Sequence, residues 1–243
     1  MPSKDVQIET KDNIDEIMNS IYSGKYIEKG HKTKGHKCVS SKDEKISEEE
    51  KASFLYGEIL PKGLYRALDK DHMDIETASV IYDCGAGLFK NVIRIWLQYK
   101  NIKRAVGVEL SPSRYALGEA AALKLVEENS SFKIFEYKAG KVLKIMDRLG
   151  RVLVLKCDNL FDDAGAKFAD IVLCNTDFPK DIISQLTNFF SECKKGVKIM
   201  TYKKLDKHSK IEQMKINKNK KDIFLSSWNK LEKGHHFYLW EHK

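Results

Sequence analysis

The sequence predicts an α/β fold in which helices cover a mainly parallel sheet. Apolar runs of strand length alternate with segments of helical periodicity along most of the chain, which is the pattern of repeated β-α-β units. The first run passes through a glycine turn into a helical segment, a connection typical of ligand-binding units. The last two runs are separated only by a turn at Asn229–Gly234 and predict an antiparallel hairpin. We therefore expect a seven-stranded sheet that ends in an antiparallel C-terminal hairpin.

The elements of this fold can be assigned in order. The apolar runs predicted as strands are Ser79–Cys84, Arg104–Glu109, Val152–Cys157, Asp170–Cys174, Val197–Thr201, Ile223–Trp228 and His236–Trp240. The segments predicted as helices are Phe89–Tyr99, Pro112 to about Glu127, Ala139–Leu149 and Lys180–Cys193. Ser111 followed by Pro112 is a favourable helix start, because proline suits the first helical position.

Length and composition indicate one domain behind a polar extension. A chain of 243 residues with 42% hydrophobic content can bury a full core. Residues 1–51 are polar and charged; we expect a short helix near Ile14–Tyr22 and little fixed structure between Gly30 and Glu50. Residues 52–243 form the predicted domain. No run approaches the roughly 18 apolar residues of a membrane span, and the N-terminus lacks the apolar region of a signal peptide, so no membrane association is expected.

The cysteines and histidines indicate neither disulfides nor a metal site. Three of the five cysteines stand at the ends of predicted strands, where buried free thiols are expected: Cys84, Cys157 and Cys174. Free thiols indicate a reducing, intracellular compartment. His31, His36 and Cys38 are possible metal ligands, but no fourth ligand is spaced to match, so we predict no metal.

The first β-α-β unit carries the pattern of a nucleoside site. The strand ending at Asp83-Cys84 leads into a loop with Gly85 and Gly87, and the next strand ends on the acid Glu109. Glycines allow the backbone to approach a ligand closely, and a carboxylate about two dozen residues after the turn can accept hydrogen bonds from both ribose hydroxyls. The pattern is short, so a β-α-β unit without a ligand remains an alternative.

Two classes of nucleoside cofactor use this layout. A dinucleotide site needs a third glycine in G-x-G-x-x-G, and here Gly87 is followed by Leu88, Phe89 and Lys90. Asp83 at the strand end would repel a pyrophosphate but suits the cationic methionine part of S-adenosyl-L-methionine (AdoMet). The segment therefore favours AdoMet over a dinucleotide.

Polar residues at two later strand ends are further candidates, because ligands of open α/β sheets bind at the carboxyl ends of the strands. Asp158 could accept a hydrogen bond from the adenine amino group, although a turn or capping role is nearly as well supported. Asn175 with Phe178 three residues later could place a carbonyl acceptor and an aromatic ring beside an amine that receives a methyl group. The same Asn-Thr-Asp-Phe-Pro segment also reads as an ordinary turn.

The net charge of +8 is concentrated in two lysine-rich segments. Lys25 to Lys45 contains seven lysines and Lys203 to Lys221 contains eight. Such clusters beside a domain suggest contacts with the phosphates of DNA or RNA, as in a nucleosome. A solvated tail and loop is the alternative.

These motifs together resemble one known family. Tyr56-Gly57-Glu58 precedes the Asp-x-Gly-x-Gly turn, and Gly-Val-Glu109, the strand-end Asp158, Asn-x-x-Phe and a late tryptophan follow. The chain resembles, from about Ala52 to His242, the disruptor-of-telomeric-silencing family of non-SET histone lysine methyltransferases. The resemblance implies a Rossmann-like AdoMet-dependent fold, S-adenosyl-L-homocysteine (AdoHcy) as product, a nucleosome or histone partner, and a nuclear location, with a cytoplasmic one as alternative.

The resemblance also implies roles for individual residues. The segment that closes over the methionine end of the cofactor would be Tyr56, Gly57, Glu58 and Ile59. The glycine turn would contribute Asp83, Cys84, Gly85, Ala86, Gly87 and Lys90, while Glu109 would bind the ribose and Asp158 with Asn159 the adenine. The lysine channel would be lined by Asn175, Phe178, Tyr56, Trp228 and Tyr238 or Phe237.

The chain departs from the family pattern at three places. Phe89 stands where the family turn usually has another glycine, Cys174 stands where it has a second Asn or a similar residue, and Thr176-Asp177 replaces a more apolar pair. These departures leave the substrate more open than the cofactor. Nucleic-acid amino methyltransferases also place an Asn three residues before an aromatic ring and flip the base into the site, but with prolines between. A non-catalytic nucleosome- or RNA-binding module on the same fold is a third reading.

Overall fold

The structure is a computed structural model that describes residues 11–23, 38–50, 57–214, 223–227 and 234–243. Its helices are α1 (Lys11–Ile21), α2 (Ser41–Glu49), α3 (Pro61–Ala67), α4 (Lys90–Gln98), α5 (Pro112–Glu128) and α6 (Ile183–Ser191), and short 3-10 turns lie at Ile75–Thr77, Ala164–Phe168 and Lys180–Ile182. Its strands are β1 (Val80–Cys84), β2 (Arg104–Glu109), β3 (Phe132–Lys138), β4 (Val142–Asp147), β5 (Val152–Cys157), β6 (Ile171–Cys174), β7 (Lys198–Thr201), β8 (Ile211–Gln213), β9 (Ile223–Phe224), β10 (His235–His236) and β11 (Tyr238–His242).

Nine of the described strands form one sheet, in the order β3-β4-β5-β2-β1-β6-β7-β11-β8. The strands from β5 to β7 are parallel, and both edges of the sheet are antiparallel. The chain continues from β1 to β2 on one side and from β6 to β7 on the other, so the strand order switches between β1 and β6. The Rossmann-like α/β fold is thereby confirmed, but the predicted number of seven strands is too low.

The extra strands at one edge replace a predicted helix. The prediction of a helix over Ala139–Leu149 is wrong, because this segment contains β4, which pairs antiparallel with β3. In β4 the buried Leu143 and Ile145 alternate with the partly exposed Lys144, which is the period of a strand with one buried face. Strand β3 was not predicted. Its apolar side chains Ile134 and Phe135 are exposed and stand among charged residues, so the segment lacks the pattern of a strand with one buried face.

The C-terminal hairpin differs from the prediction in its position. Strands β9 and β10 pair antiparallel, with His235 opposite Phe224, but they form a separate two-stranded sheet. The strand that joins the large sheet is β11, which lies between β7 and β8 and is antiparallel to both. Of the predicted strand Ile223–Trp228, the structure assigns only the first two residues to a strand, and Trp228 lies outside the described residues.

Helices cover both faces of the large sheet. Neighbouring residues of β1 show the two faces, since Ile81 packs in the core layer with α3, α4 and α5, whereas Tyr82 packs in the layer with α6. Helix α1, predicted near Ile14–Tyr22, joins the first layer through the buried Ile14, Met18 and Ile21. The N-terminal helix is therefore packed on the same core as the sheet.

Helix α2 lies in a segment for which little fixed structure was expected. Its N-terminus has a capping box, in which the Ser40 hydroxyl accepts from the Asp43 amide and the Asp43 carboxylate accepts from the Ser40 amide. Ser-x-x-Asp is a recognisable helix start, and the low apolar content of the segment obscured it. The packing of α2 near the ligand cleft is described below.

Candidate active site

The main cleft lies at the carboxyl ends of β1, β2, β5 and β6, where the strand order switches. It encloses about 1050 Å³, including the solvent-filled space at its mouth. Open α/β sheets bind their ligands at this position. The cleft is lined by most of the predicted site residues, namely Gly57, Glu58, Asp83, Gly85, Ala86, Gly87, Lys90, Glu109, Asp158, Asn159, Asn175 and Phe178.

The remaining predicted site residues that the structure describes are not among those that line the cleft. Cys84 is fully buried behind the glycine turn, and the Ile59 side chain is buried as well. Tyr238 lines a neighbouring groove rather than the cleft, and Phe237 is fully buried. Tyr56 and Trp228 lie outside the described residues.

The glycine turn is fastened to β2 and leaves no room for side chains. The amides of Gly85 and Ala86 both donate to the Val108 carbonyl, at 2.9 Å each. Gly85 has φ +72°, and a Cβ atom there would come within 2.1 Å of the Thr176 hydroxyl oxygen. Because an L side chain is disfavoured both by this backbone conformation and by the contact, position 85 requires glycine.

Phe89 occupies a backbone conformation that usually belongs to glycine. Its φ is +62°, in the left-handed region, immediately before α4. This is the position at which the resemblance led us to expect another glycine. The Phe89 ring is fully buried between Gly107 and Gly118, where added Cβ atoms would lie 2.6 Å and 2.3 Å from ring carbons. Two close-packed glycines thus give space to the ring, and ring burial offsets the strained backbone.

Glu109 is the acidic residue at the centre of the cleft. Its carboxylate is buried and accepts the Gly87 amide at 2.7 Å and the Ser111 amide at 3.0 Å. Arg114 lies 3.9 Å from the same carboxylate. Burial raises the pKa of Glu109, against the opposing effects of Arg114 and the two amides. Since a carboxylate offers about four lone-pair sites, two protein donors leave room for ligand hydroxyls.

Asp83 provides a second buried carboxylate beside Glu109. Its side chain is 3% exposed. Burial, followed by the negative charge of Glu109, raises the pKa of Asp83 to about 7. A positively charged ligand group would stabilise the ionised carboxylate of Asp83, whereas a pyrophosphate would destabilise it. The electrostatics of the cleft therefore favour a cationic ligand.

Helix α2 closes one side of the cleft, which the sequence did not predict. At its start the fully buried Asp43 carboxylate accepts the Ser111 and Ser113 hydroxyls, each at 2.5 Å, at the N-terminus of α5. At its end Glu50 lines the cleft and accepts the Asn159 side-chain amide at 2.7 Å. The helix therefore spans from the Glu109 side of the cleft to the Asp158–Asn159 side.

The Gly57-Glu58-Ile59 segment is held in place from two directions. Ile59 pairs with Ser226 in an isolated antiparallel bridge, and the Ser227 amide donates to the Glu58 carbonyl at 2.8 Å. The Glu58 carboxylate forms an ion pair of 2.7 Å with Lys90 at the start of α4. These contacts bring the segment against the glycine turn at the mouth of the cleft.

Asn175 and Phe178 form the end of the cleft that follows β6. The Asn175 side-chain oxygen is buried and has no hydrogen-bond partner within the described part of the chain. Phe178 is 8% exposed and packs at 6.3 Å, between ring centroids, on Phe161. A buried carbonyl without a partner is unfavourable unless a ligand donates to it. This end of the cleft is therefore suited to a ligand N–H group.

A second, shallower groove of about 900 Å³ adjoins this end, and Phe178 lines both. The groove is lined with basic and aromatic residues, including Tyr202, Lys203, His235 and Tyr238. Lys203 forms an ion pair of 2.5 Å with Asp177, and Tyr202 stacks on His235 at 4.7 Å between centroids. Part of the predicted basic segment Lys203 to Lys221 thus lies here, while residues 215–221, like 24–37 of the first segment, lie outside the described residues.

Metals and membranes find no support in the described residues. Within that part of the chain, no three His, Cys, Asp or Glu side chains are grouped as metal ligands, and no helix has both the length and the apolar character to cross a bilayer. Cys84, Cys174 and Cys193 are buried free thiols.

The chain is similar to one protein family and to several solved structures. A family model described as "Histone methylation protein DOT1" matches residues 36–234, and no curated protein matches the sequence. Among solved structures, the putative methyltransferase yhhF from Escherichia coli is similar at 9% identity over 76% of this chain and 87% of that chain (TM-score 0.48). An O-methyltransferase from Bacillus cereus in complex with SAH is 12% identical over 98% and 100% (TM-score 0.47).

Trm1 is a third protein whose solved structure is similar to this chain. Trm1 from Pyrococcus horikoshii, in complex with S-adenosyl-L-methionine, is 12% identical over 57% of this chain and 35% of that chain (TM-score 0.41). The chain thus spans about a third of the length of that protein.

Proposed function

This chain belongs to the DOT1 family of histone methylation proteins, and from this premise we propose that it methylates the side-chain amine of a lysine on a histone of the nucleosome core. It is a methyltransferase, and its cofactor is AdoMet. The family match supports a histone acceptor, and the Asn175 end of the cleft supports an amine acceptor. We propose a nuclear location for the same reason. The proposed catalytic domain is 52–243, behind the extension 1–51.

The residues of the cleft fit AdoMet. Asp83 is a buried carboxylate whose pKa is raised by burial and by the charge of Glu109, and the positive charge on the methionine part of the ligand would stabilise its ionised form. In this proposal Glu109 accepts from the ribose hydroxyls, and Asp158 and Asn159, which line the same cleft, contact the adenine. The Gly85 turn allows close approach of the ligand. Gly57 and Glu58 would cover the methionine end.

One observation supports an amine as the methyl acceptor: the Asn175 side-chain oxygen is buried and has no hydrogen-bond partner among the described residues. An acceptor amine would donate an N–H to it, which would orient the nitrogen lone pair towards the methyl group. AdoMet supplies a methyl group on a sulfonium, a good leaving group, so the main task of the protein is alignment. Phe178 would contact the methylammonium product through its ring face.

The lysine must lose a proton before it reacts, since its ordinary pKa is about 10.4. Desolvation between Phe178 and Asn175 would lower that pKa, and water at the open mouth of the cleft would take the proton. We assign no general base. Asp177, the carboxylate nearest in sequence, is already paired with Lys203.

The alternative acceptor is the amino group of a nucleic-acid base. The spacing of Asn175 and Phe178 and the basic groove beside them favour it, while the absence of prolines at Thr176 and Asp177 weighs against it. A non-catalytic module that only binds nucleosomes or RNA is the third possibility. Such a module would bind the cofactor but would transfer no methyl group.

The test is incubation with methyl-labelled AdoMet and, in parallel, nucleosomes, free histones and RNA. Digestion and mass spectrometry of the products should find methyl-lysine on a histone, with incorporation suppressed by excess AdoHcy. Methyladenine in RNA or nucleosomal DNA, without methyl-lysine, would replace the proposal by the alternative. AdoMet binding with no incorporation into any substrate would support the non-catalytic module.

A further inference from the structure

The groove beside the acceptor end of the cleft has a strong charge pattern. Three lysines line it, Lys180, Lys203 and Lys204, and no Asp or Glu is among its described lining residues. Lys180 and Lys204 are exposed, and neither forms an ion pair with another described residue. The described lining of the groove is therefore an electropositive surface with two solvent-exposed lysines.

The groove is continuous with the acceptor end of the cleft. Phe178 lines both cavities, and Asn175 lies three residues before it on the same loop. A polypeptide that places one side chain beside Asn175 can therefore place neighbouring residues over the groove. The walls of the groove also include rings, such as Tyr202 and Tyr238, which can pack against the apolar parts of a peptide.

Asp177 precedes Phe178 in the chain and pairs with Lys203 of the groove. Asp177 is 30% exposed and Lys203 is 39% exposed. An ion pair this exposed is worth little on its own and can be exchanged for other partners. Lys203 can therefore exchange Asp177 for an acidic side chain of the substrate, while water hydrates the partly exposed Asp177.

We propose that this groove binds an acidic segment of the substrate protein, so that the enzyme prefers an acceptor lysine flanked by Asp or Glu. The proposal rests on the proposed lysine methyltransferase function and adds the chemistry of the flanking sequence. Basic flanks would meet the uncompensated Lys180 and Lys204, and like charges at close range disfavour binding. The groove thus selects by repulsion as well as by attraction.

The test uses short synthetic peptides with one central lysine, flanked by Glu, Gln or Lys and otherwise identical. Binding of each labelled peptide to the full chain is measured by fluorescence anisotropy with saturating AdoHcy, at low and at high salt. The Glu-flanked peptide should bind about fivefold more tightly than the Gln-flanked one, as expected for one or two partly exposed ion pairs, and the difference should shrink in salt.

Two variants connect this preference to the groove. Lys204→Glu should reverse it, so that the Lys-flanked peptide binds more tightly than the Glu-flanked one; a misfolded variant would lose all binding rather than reverse its preference. Lys138→Gln removes an exposed lysine from β3 at the far edge of the sheet and should keep the wild-type preference. Equal binding of the Glu and Gln peptides, or a preference that Lys204→Glu leaves intact, would overturn the proposal.

An oligothymidylate in the same assay tests whether the groove binds nucleic acid, which is the other ligand that suits a basic aromatic groove. If it binds at this groove, so that Lys204→Glu weakens it, and the Glu-flanked peptide does not compete, the groove is a nucleic-acid site and the proposal is wrong. The proposed function fails by a different result, namely the absence of methyl-lysine on any histone. Methyl-lysine on a histone, together with equal binding of the Glu-flanked and Gln-flanked peptides, would contradict only the inference about flanking acids.

Discussion

A Cβ atom on Gly118 would lie 2.3 Å from the Cδ2 atom of Phe89, although Gly118 stands in the middle of α5. Glycine inside a helix costs about 1 kcal/mol relative to alanine. Gly118 therefore lowers the helix propensity of α5 but permits close packing against Phe89. The same ring lies against Gly107 of β2. Phe89 therefore joins the glycine turn to α5 and β2.

Gly118→Ala should destabilise the protein in spite of the better helix propensity. Overpacking of a close-packed core costs about 1–3 kcal/mol, against a gain of about 1 kcal/mol from alanine. Since the added Cβ would lie only 2.3 Å from the ring, urea unfolding should show a net loss of up to about 2 kcal/mol. Ala120→Gly, at an exposed position of the same helix, is the control and should lose about 1 kcal/mol through propensity alone. A more stable Gly118→Ala protein would contradict the packing.

Glu109→Ala should weaken AdoHcy binding. Hydrogen bonds to a charged group contribute about 1.5–3 kcal/mol, which corresponds to a loss of roughly tenfold to a hundredfold in affinity. Isothermal titration calorimetry on the variant and the wild type measures this difference. Since Glu109 also accepts the Gly87 and Ser111 amides, circular dichroism should first show that the variant is folded. Equal affinities would remove Glu109 from the site.

Asp83 should make the stability of the ligand-free protein depend on pH. The pKa of Asp83 is about 7 in the folded chain against an ordinary value of 3.8, so the folded state holds the extra proton between these values. Its stabilising contribution is thus present at low pH and lost as the pH rises through about 7. Asp83→Asn should be more stable than the wild type at about pH 8 and similar near pH 4, by urea unfolding.

The same variant should lose AdoMet affinity, because the amide cannot balance the cationic methionine part. A protein that is stabilised at about pH 8 and yet binds AdoMet more weakly would show that Asp83 serves the ligand at the expense of the fold. If Asp83→Asn has the same stability as the wild type at both pH values, the buried charge of Asp83 does not cause the pH dependence of stability.

The sequence predicted the parallel part of the fold well because each central strand is a continuous apolar run between a turn and a helix. Strand β2 was predicted at its observed bounds, Arg104–Glu109. The edges were harder, since β3 has charged and exposed residues and depends on its pairing with β4. Short-range periodicity cannot show such pairing, so Ala139–Leu149 was assigned to a helix.

The candidate site was predictable where it depends on local backbone chemistry. Glycines, strand-end acids and Asn175 sit at fixed places in the fold, and these residues meet in the cleft. The contribution of α2 was missed because Asp43 and Glu50 act through partners far along the chain, in α5 and after β5. The Ser-x-x-Asp capping signal was the available clue.

Asp43→Ala should release α2 from the cleft. The carboxylate accepts the hydroxyls of Ser111 and Ser113 and the amide of Ser40. These hydrogen bonds hold the pKa of Asp43 well below its ordinary range, against the effect of burial. Its stabilising contribution is therefore present at neutral pH and lost only as the pH falls below about 4.

Limited proteolysis measures this release. The variant should be cut within residues 38–50 faster than the wild type, and AdoHcy should protect it less, because Glu50 would no longer be held beside Asn159. Glu44→Ala, at an exposed position of the same helix, is the matched control and should be cut at the wild-type rate. Unchanged cleavage in Asp43→Ala would mean that other contacts hold the helix.

Asn175→Ala should nearly abolish methyl transfer while AdoHcy affinity stays close to the wild-type value. The buried Asn175 oxygen lacks a partner in the described residues, so its removal leaves no protein donor unsatisfied and should not destabilise the fold. What it removes is the acceptor that would orient the amine, and misplacement of a reacting group by about 1 Å can reduce the rate a hundredfold. Single-turnover transfer to nucleosomes should therefore fall at least that far, with AdoHcy binding by calorimetry as the internal control. A variant that transfers at the wild-type rate would place the acceptor elsewhere in the cleft, and one that loses AdoHcy affinity in parallel would make Asn175 a cofactor ligand instead.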